Sequence, residues 1–325
     1  MKTRLIATVF LLAAAASAAW AQPPATADAA PYAESDFTVG EGAMALPGTL
    51  AMPDGEGPFP AVVLVHGSGP QDRDSTTGPN RPLRDIAQGL AARGIATLRY
   101  DKRTRVHPVA ATFDPDFNLD SEVTDDAVAA VAAMRQTPGI DPGRVFVFGH
   151  SLGAMLTPRI LGRADGAAGG IMFAAASRSM LDLIPEQMER MAALQGVDPA
   201  AHAEHLDTIN DLIARVRAGE EVSLLGARAT YLRDADALDP LAEARAISQP
   251  LLVLHGGADV QVTDVDRRAW EAGFASDTRV TLRHYPQLGH LGIAADVDAP
   301  LASYTVPGAV DAGLIDDIAA WIKAR

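Results

Sequence analysis

A serine lies between two glycines in the pentapeptide Gly149-His150-Ser151-Leu152-Gly153. The apolar run RVFVF precedes it, and a segment with helical character follows it. In a sharp strand-to-helix turn of this kind, the serine hydroxyl projects above the edge of a sheet. The next backbone amide then points at any negative charge that develops there. The pattern predicts Ser151 as a nucleophile for acyl transfer and the Leu152 amide as an oxyanion donor.

A serine nucleophile requires a base to take its proton and a carboxylate to orient that base. On a strand-turn-helix scaffold the acid and then the histidine follow the serine along the chain. Asp259 follows the apolar run LLVLHG, and His290 lies in a glycine-flanked loop after the next run, RVTLRHY. Both loops come at the carboxyl ends of predicted strands, the edge from which Ser151 emerges. We therefore predict Asp259 as the acid and His290 as the base.

Other titratable residues of the same region are alternatives for these roles. Asp264 and Asp266 lie where a helix is predicted to begin, a position at which acidic residues interact favourably with the helix dipole. His255 ends a predicted strand and His284 lies inside one, so that a structural role is favoured for both. His66, His150, His255 and His290 lie near the ends of predicted strands, but none forms a His-x-x-x-His or carboxylate-His ligand pair on one element. Neither a metal nor a cofactor is predicted.

A second oxyanion donor is expected in the loop after an earlier strand. In VVLVHGSGPQDRD, residues 62–74, an apolar run leads into His66-Gly67-Ser68-Gly69. The stretch lacks the Gly-Lys-Ser/Thr ending of a phosphate-binding loop and the glycine spacing of a dinucleotide-binding turn. We predict the amide of Ser68 as the donor, with that of Gly69 as the alternative, because glycines let a backbone approach a ligand closely.

Two charged clusters, DRD and DKRT, follow neighbouring predicted strands. Asp72, Arg73 and Asp74 could pair with Arg99 or Arg103 and brace the loop, or Arg73 or Arg103 could bind a substrate carboxylate. Bracing is favoured, because charged residues in adjacent loops are more often structural pairs. As substrate contacts we predict His66, His150, Arg103 and Met180.

The order of apolar and amphipathic segments predicts the fold class. Strand-like apolar runs alternate with helical segments up to about residue 175 and again from residue 250. This alternation predicts an α/β protein with a mostly parallel sheet and helices on both faces. Residues 182–246 show helical periodicity alone. We predict a core of residues 37–181 and 247–325, with residues 182–246 inserted as a helical cap.

The chain starts with a basic segment, an apolar run and small residues, the order of a secretory signal peptide. We predict cleavage after Ala21, a periplasmic or secreted location, and a flexible leader over residues 22–36. The apolar run is too short to span a bilayer.

Acidic residues number 41 against 27 basic ones, which argues against nucleic acid and anionic lipid as partners. Cysteine is absent, which excludes disulfides and thiol chemistry.

With these segments in place, the chain resembles the α/β-hydrolase superfamily. The blocks HGSGPQDRD, YDKRT and GHSLGAML are similar to those of a bacterial exported esterase group, although relatives often carry glycine where this chain has Ala154. The resemblance implies a serine carboxylesterase that acts on short-to-medium acyl esters through an acyl-enzyme, with Ser151, Asp259 and His290 as its catalytic residues. A serine peptidase, thioesterase or lactonase on the same fold, or a non-catalytic binding protein, remain alternatives. No oligomeric state is predicted.

Overall fold

The computed structural model describes residues 30–296 and 298–325, with residues 111 and 112 described by their backbone alone. The predicted signal peptide lies outside the described residues, as does the first part of the predicted leader. Eight strands form one sheet: β1 (Tyr32–Val39), β2 (Leu46–Pro53), β3 (Phe59–Val65), β4 (Ala96–Tyr100), β5 (Ile140–His150), β6 (Ala167–Phe173), β7 (Leu251–Gly256) and β8 (Val280–Tyr285).

The strand order in the sheet is β1-β2-β4-β3-β5-β6-β7-β8. β2 pairs antiparallel with β1 and β4, whereas every pair from β4 to β8 is parallel. The parallel strands have helices on both faces, and for this reason they are apolar runs without alternation. Val63 and Leu64 of β3, for example, belong to two different buried clusters on opposite faces. The α/β fold predicted from the sequence is confirmed.

Twelve α-helices accompany the strands in the described part of the chain. They are α1 (Pro82–Ala91), α2 (Arg103–Val106), α3 (Pro108–Phe113), α4 (Asp125–Arg135), α5 (Leu152–Arg163), α6 (Met180–Leu194), α7 (Pro199–Arg217), α8 (Ala229–Ala237), α9 (Pro240–Ala246), α10 (Asp264–Phe274), α11 (Ala302–Thr305) and α12 (Ala312–Lys323). Short turns of 3₁₀-helix and π-helix cover Gly42–Met44 and Asp120–Thr124. Within residues 30–296 and 298–325, no helix has the length and apolar character that a membrane span requires.

Four of these helices, α6–α9, follow one another between β6 and β7. α6 contacts α7 and α8, and α9 contacts α5 of the sheet layer. Side chains spaced along α6, α7 and α8 are buried, among them Leu183, Ile213 and Leu232. The helical segment starts at Met180, two residues before the predicted boundary of the insertion, because the Ser179 side chain caps the helix by accepting from the Asp182 amide.

The amino-terminal boundary differs from the predicted leader of residues 22–36. β1 begins at Tyr32 and pairs with β2 along its whole length, from Tyr32 opposite Pro53 to Val39 opposite Leu46. The side chain of Glu34 also accepts from Arg99 at 3.0 Å. Residues 32–36 therefore belong to the sheet. Their polar composition conceals this in the sequence, because most side chains of this edge strand are exposed to solvent.

Candidate active site

Ser151 occupies the turn that joins β5 to α5. Its backbone has φ 54° and ψ −116°, a region that residues other than glycine seldom adopt. Hydrogen bonds on both sides maintain this conformation. The Ser151 amide donates to the Phe173 carbonyl at 3.0 Å, and the Ser151 carbonyl accepts from the Met155 amide at 3.0 Å. The serine therefore has a strained backbone held between the end of β6 and the first turn of α5.

The two flanking glycines are required by close packing of the backbone. A Cβ atom on Gly149 would lie 2.3 Å from the Gly153 carbonyl oxygen. A Cβ atom on Gly153 would lie 2.5 Å from the His66 carbonyl oxygen and 2.7 Å from that of Val65. Side chains cannot occupy such short distances, so the turn packs tightly against β3 only with glycine at both positions.

Asp259 and His290 form a buried pair at the carboxyl ends of β7 and β8. His290 Nδ1 lies 2.8 Å from Asp259 Oδ2. The second carboxylate oxygen accepts from the backbone amides of Gln261, at 2.7 Å, and Val262, at 3.0 Å. Burial acts to raise the pKa of Asp259, but the charge of His290 and these hydrogen bonds outweigh it and hold the pKa below its ordinary value of 3.8. Asp259 is therefore an ionised carboxylate at neutral pH.

His150 joins the loop of His290 to the turn of Ser151. Its Nε2 lies 2.8 Å from the His290 carbonyl oxygen, and the two imidazole rings are 4.8 Å apart between centroids. A carbonyl only accepts, so Nε2 of His150 carries the proton. Burial, and then the charge of His290, lower the pKa of His150 to about 3. His150 is thus a neutral donor that fixes His290 relative to residue 151.

The loop after β3 lies directly against Ser151. A Cβ atom on Gly67 would lie 3.1 Å from the Ser151 Cβ. In the described part of the chain, the amides of Ser68 and Leu152 donate to no protein acceptor. Leu152 is the first residue of α5, where amides lack intrahelical acceptors. These two amides are therefore available to a negatively charged oxygen. Gly69, the alternative donor, has φ 85°.

The DRD cluster braces this loop. The Arg73 guanidinium donates to both carboxylate oxygens of Asp101, at 3.1 and 2.9 Å, and also to the Gly48 carbonyl at 2.9 Å. Asp74 accepts from Arg99 at 2.8 Å. Asp72 accepts from backbone amides inside its own loop. The cluster therefore connects the loop after β3 to β4 and β2.

Arg103 does not join that brace. It donates instead to Asp126 of α4, with Nε 3.0 Å from Oδ2 and a second contact between Nη2 and Oδ1. Of the two partners predicted for the DRD cluster, Arg99 is the one that pairs with it, because Arg103 begins α2 and contacts α4 rather than the loop. Arg73 has Asp101 as its partner, so that both arginines have carboxylate partners within the protein.

The side chains of the other two predicted substrate contacts, His66 and Met180, pack against other parts of the protein. His66 is buried edge-on against the Tyr100 ring, and burial together with the charge of Lys102 lowers its pKa to about 3. Met180 begins α6 and is partly buried against the core. Roles for these residues in substrate binding stay predictions.

The alternative carboxylates have other partners. Asp266 is fully buried and accepts from the amide and hydroxyl of Ser177, at 2.9 and 2.8 Å, and from Arg178. Asp264 accepts from Arg267 at 2.8 Å in the first turn of α10. Asp264 therefore stabilises the start of α10, whereas Asp266 connects that helix to the segment before α6. Among the described residues, no three His, Cys, Asp or Glu side chains form a group that could hold a metal ion.

Sequence analysis missed one buried ion pair beside the site. Lys102 Nζ lies 2.6 Å from Glu122 Oε1 and donates to the Gly67 carbonyl at 2.8 Å. Glu122 also accepts from the Tyr231 hydroxyl at 2.6 Å. The DKRT cluster was the available sequence signal for a charged site. It does not reveal that Lys102 pairs with Glu122, twenty residues further along the chain.

A profile described as the Alpha/beta hydrolase family matches residues 62–302. Esterase EstD of Thermotoga maritima is 38% identical over 299 residues, which are 92% of this chain and 69% of that protein.

Solved structures share the fold at low sequence identity. Est1E from Butyrivibrio proteoclasticus has a TM-score of 0.55 and 16% identity, with 89% of this chain and 99% of that chain covered. The Pyrococcus furiosus esterase Pf2001 has a TM-score of 0.56 and 14% identity, with 93% and 96% covered. The fold, the strand-turn-helix arrangement around Ser151 and the match of the family profile agree. The chain belongs to the α/β-hydrolase family.

Proposed function

We propose that the protein is a serine carboxylesterase that hydrolyses short-to-medium acyl esters through an acyl-enzyme. The observation that carries the proposal is the buried Asp259–His290 pair, 2.8 Å apart, fixed through His150 to the turn that exposes Ser151. The relation to a protein named Esterase EstD supports an ester substrate. All the groups required belong to the chain itself, and no cofactor enters the mechanism.

The first half of the proposed reaction acylates the enzyme. The Asp259 carboxylate holds the proton on His290 Nδ1, which leaves Nε2 as the basic nitrogen. His290 takes the proton of Ser151 as the serine oxygen attacks the ester carbonyl carbon. The carbonyl oxygen becomes an oxyanion, which the amides of Ser68 and Leu152 stabilise. The carbon–oxygen bond to the alcohol then breaks, and His290 returns the proton to the departing alcohol.

The second half releases the acid. His290 takes a proton from water, and the resulting hydroxide attacks the acyl carbon bound to Ser151. The same two amides stabilise the second oxyanion. The bond to the serine oxygen then breaks, and the proton passes from His290 to Ser151. The enzyme is regenerated with one water consumed, one alcohol released and one acid released.

Substrate profiling tests this proposal. We expect the purified protein to hydrolyse p-nitrophenyl acetate, butyrate and hexanoate with saturation kinetics, and to hydrolyse the matched p-nitroanilides at least about a hundredfold more slowly. Thioesters and lactones of the same acyl length complete the panel. Turnover of an anilide, thioester or lactone with a higher kcat/KM than every ester would contradict the carboxylesterase assignment in favour of that substrate class.

We expect activity to rise as the pH is raised from 5 to 8. The direction follows from the proposed mechanism, because His290 accepts the serine proton only in its neutral form. The lowered pKa of Asp259 keeps that carboxylate ionised across this range. His66 and His150, with their pKa values lowered to about 3, stay neutral throughout. Initial rates of kcat/KM measured from pH 5 to 8 give the test, and a flat profile would contradict the role of His290.

A further inference from the structure

Lys102 lies at the carboxyl end of β4 with its side chain inside the protein. It is 2% exposed, and its partner Glu122 is 5% exposed. Its Nζ donates both to Glu122 and to the Gly67 carbonyl. A buried ion pair is an inefficient source of stability, because the loss of hydration offsets the attraction between the charges. The second contact, to the loop beside Ser151, indicates a functional role.

We propose that Lys102 is a positioning residue that aims the Ser68 amide at the substrate oxyanion. This inference rests on the proposed esterase function. The Gly67 carbonyl and the Ser68 N–H belong to one planar trans peptide group, in which the two point in opposite directions. Because the Lys102 side chain binds the Gly67 carbonyl, the Ser68 N–H points away from Lys102. A Cβ atom on Gly67 would lie 3.1 Å from the Ser151 Cβ, so this peptide group is beside the proposed nucleophile.

This peptide group requires an anchor because its neighbours do not restrain it. Gly67 contributes the carbonyl of this peptide group and Gly69 follows Ser68, and glycine adopts many backbone conformations at similar free energy. The Ser68 side chain is exposed, so that packing adds little restraint. The hydrogen bond from a cationic donor is stronger than one from a neutral donor, and it also polarises the peptide group toward donation by its N–H.

A second hydrogen bond restrains the next peptide group, which joins Ser68 to Gly69. Gln71 Nε2 donates to the Ser68 carbonyl at 2.9 Å. The Gln71 carbonyl in turn accepts from the Lys102 backbone amide at 3.1 Å. Both peptide groups that flank Ser68 are thus connected to Lys102, one through its side chain and one through its backbone.

Tyr231 of α8 holds the outer end of the ion pair. Its hydroxyl donates to Glu122 Oε2 at 2.6 Å, while Glu122 Oε1 contacts Lys102. Burial, and then the charge of Glu122, raise the pKa of Tyr231 well above its ordinary value, so the hydroxyl stays a donor. Tyr231→Phe removes this outer hydrogen bond and leaves the contact of Lys102 with Gly67 in place. It is therefore the matched control.

The test compares Lys102→Met, the double variant Lys102→Met/Glu122→Gln, and Tyr231→Phe. The double variant carries no unpaired buried charge and retains an acceptor for Tyr231. We expect kcat for p-nitrophenyl butyrate to fall about 10- to 100-fold in the double variant, with KM changed less than about threefold, because a misdirected oxyanion donor weakens binding of the transition state alone. We expect less than about a threefold change in kcat for Tyr231→Phe.

Inhibition by an alkylboronic acid supplies a readout that a purely structural role would not change. Its tetrahedral adduct on Ser151 places an anionic oxygen where the oxyanion forms, so we expect its Ki to rise in proportion to the fall in kcat. A double variant that fails to fold, or one that folds and keeps wild-type kcat and Ki, overturns the inference. If the wild-type protein hydrolyses no ester, the proposed function itself fails, and this outcome is distinguishable from the others.

Discussion

Ser151→Ala is expected to lower kcat for p-nitrophenyl acetate by about 10⁴- to 10⁶-fold. The variant has no oxygen to attack the carbonyl, and the Asp259–His290 pair has no proton to take from residue 151. The fold is expected to survive, because alanine has the same Cβ as serine and the hydrogen bonds of residue 151 to Phe173 and Met155 involve the backbone alone. Steady-state kinetics and thermal unfolding of the purified variant give the measurement.

Ser35→Ala, on the exposed edge strand β1, is the matched control for this variant and should retain wild-type kinetics. A fluorophosphonate reagent adds an independent readout, since it reacts covalently with an activated serine. Mass spectrometry is expected to find the label on Ser151 and to find none after Ser151→Ala. Normal turnover by the folded Ser151→Ala protein, or a label on a different residue, would move the nucleophile elsewhere.

Asp259→Asn is expected to lower kcat by about 10⁴-fold with little change in the fold. The asparagine oxygen can still accept from the amides of Gln261 and Val262, so the loop after β7 keeps its hydrogen bonds. Its NH₂ group then faces His290 Nδ1 and donates to it. The imidazole must carry its proton on Nε2, where it can no longer accept the proton of Ser151.

Asp264→Asn serves as the control for the acid, because Asp264 lies five residues away and pairs with Arg267 at the start of α10. We expect its kcat to remain near that of the wild-type protein. The assignment of the acid would be wrong if Asp264→Asn lost activity and Asp259→Asn did not. Both variants are compared with the wild-type protein from pH 5 to 8, so that a shifted pH profile does not disguise the result.

The core elements were predictable because they depend on local patterns. Buried parallel strands need apolar side chains on both faces, and runs such as AVVLV and PLLVLHG show this directly. The turn around Ser151 was predictable for a related reason. Gly149 and Gly153 occupy positions where a side chain would overlap the backbone, so the requirement is visible in the residue types themselves.

The start of strand β1 was not predictable in the same way. An edge strand has one neighbour and exposes most of its side chains, so its sequence need not be apolar. Residues 32–36 were therefore grouped with the Ala- and Pro-rich segment that precedes them. Their place in the sheet depends on pairing with β2 and on the contact between Glu34 and Arg99, which the local sequence does not encode.

The sequence by itself determined the α/β class, the turn around Ser151, and the order in which Ser151, Asp259 and His290 follow their strands. Only the tertiary structure decided which charges meet. Arg73 pairs with Asp101, Arg103 with Asp126, and Lys102 with Glu122. Many arginines and carboxylates have similar propensities, so the partner of each depends on which strands, helices and loops become neighbours in the fold. For the same reason, the connection from α8 through Glu122 and Lys102 to the loop beside Ser151 is a property of the folded chain alone.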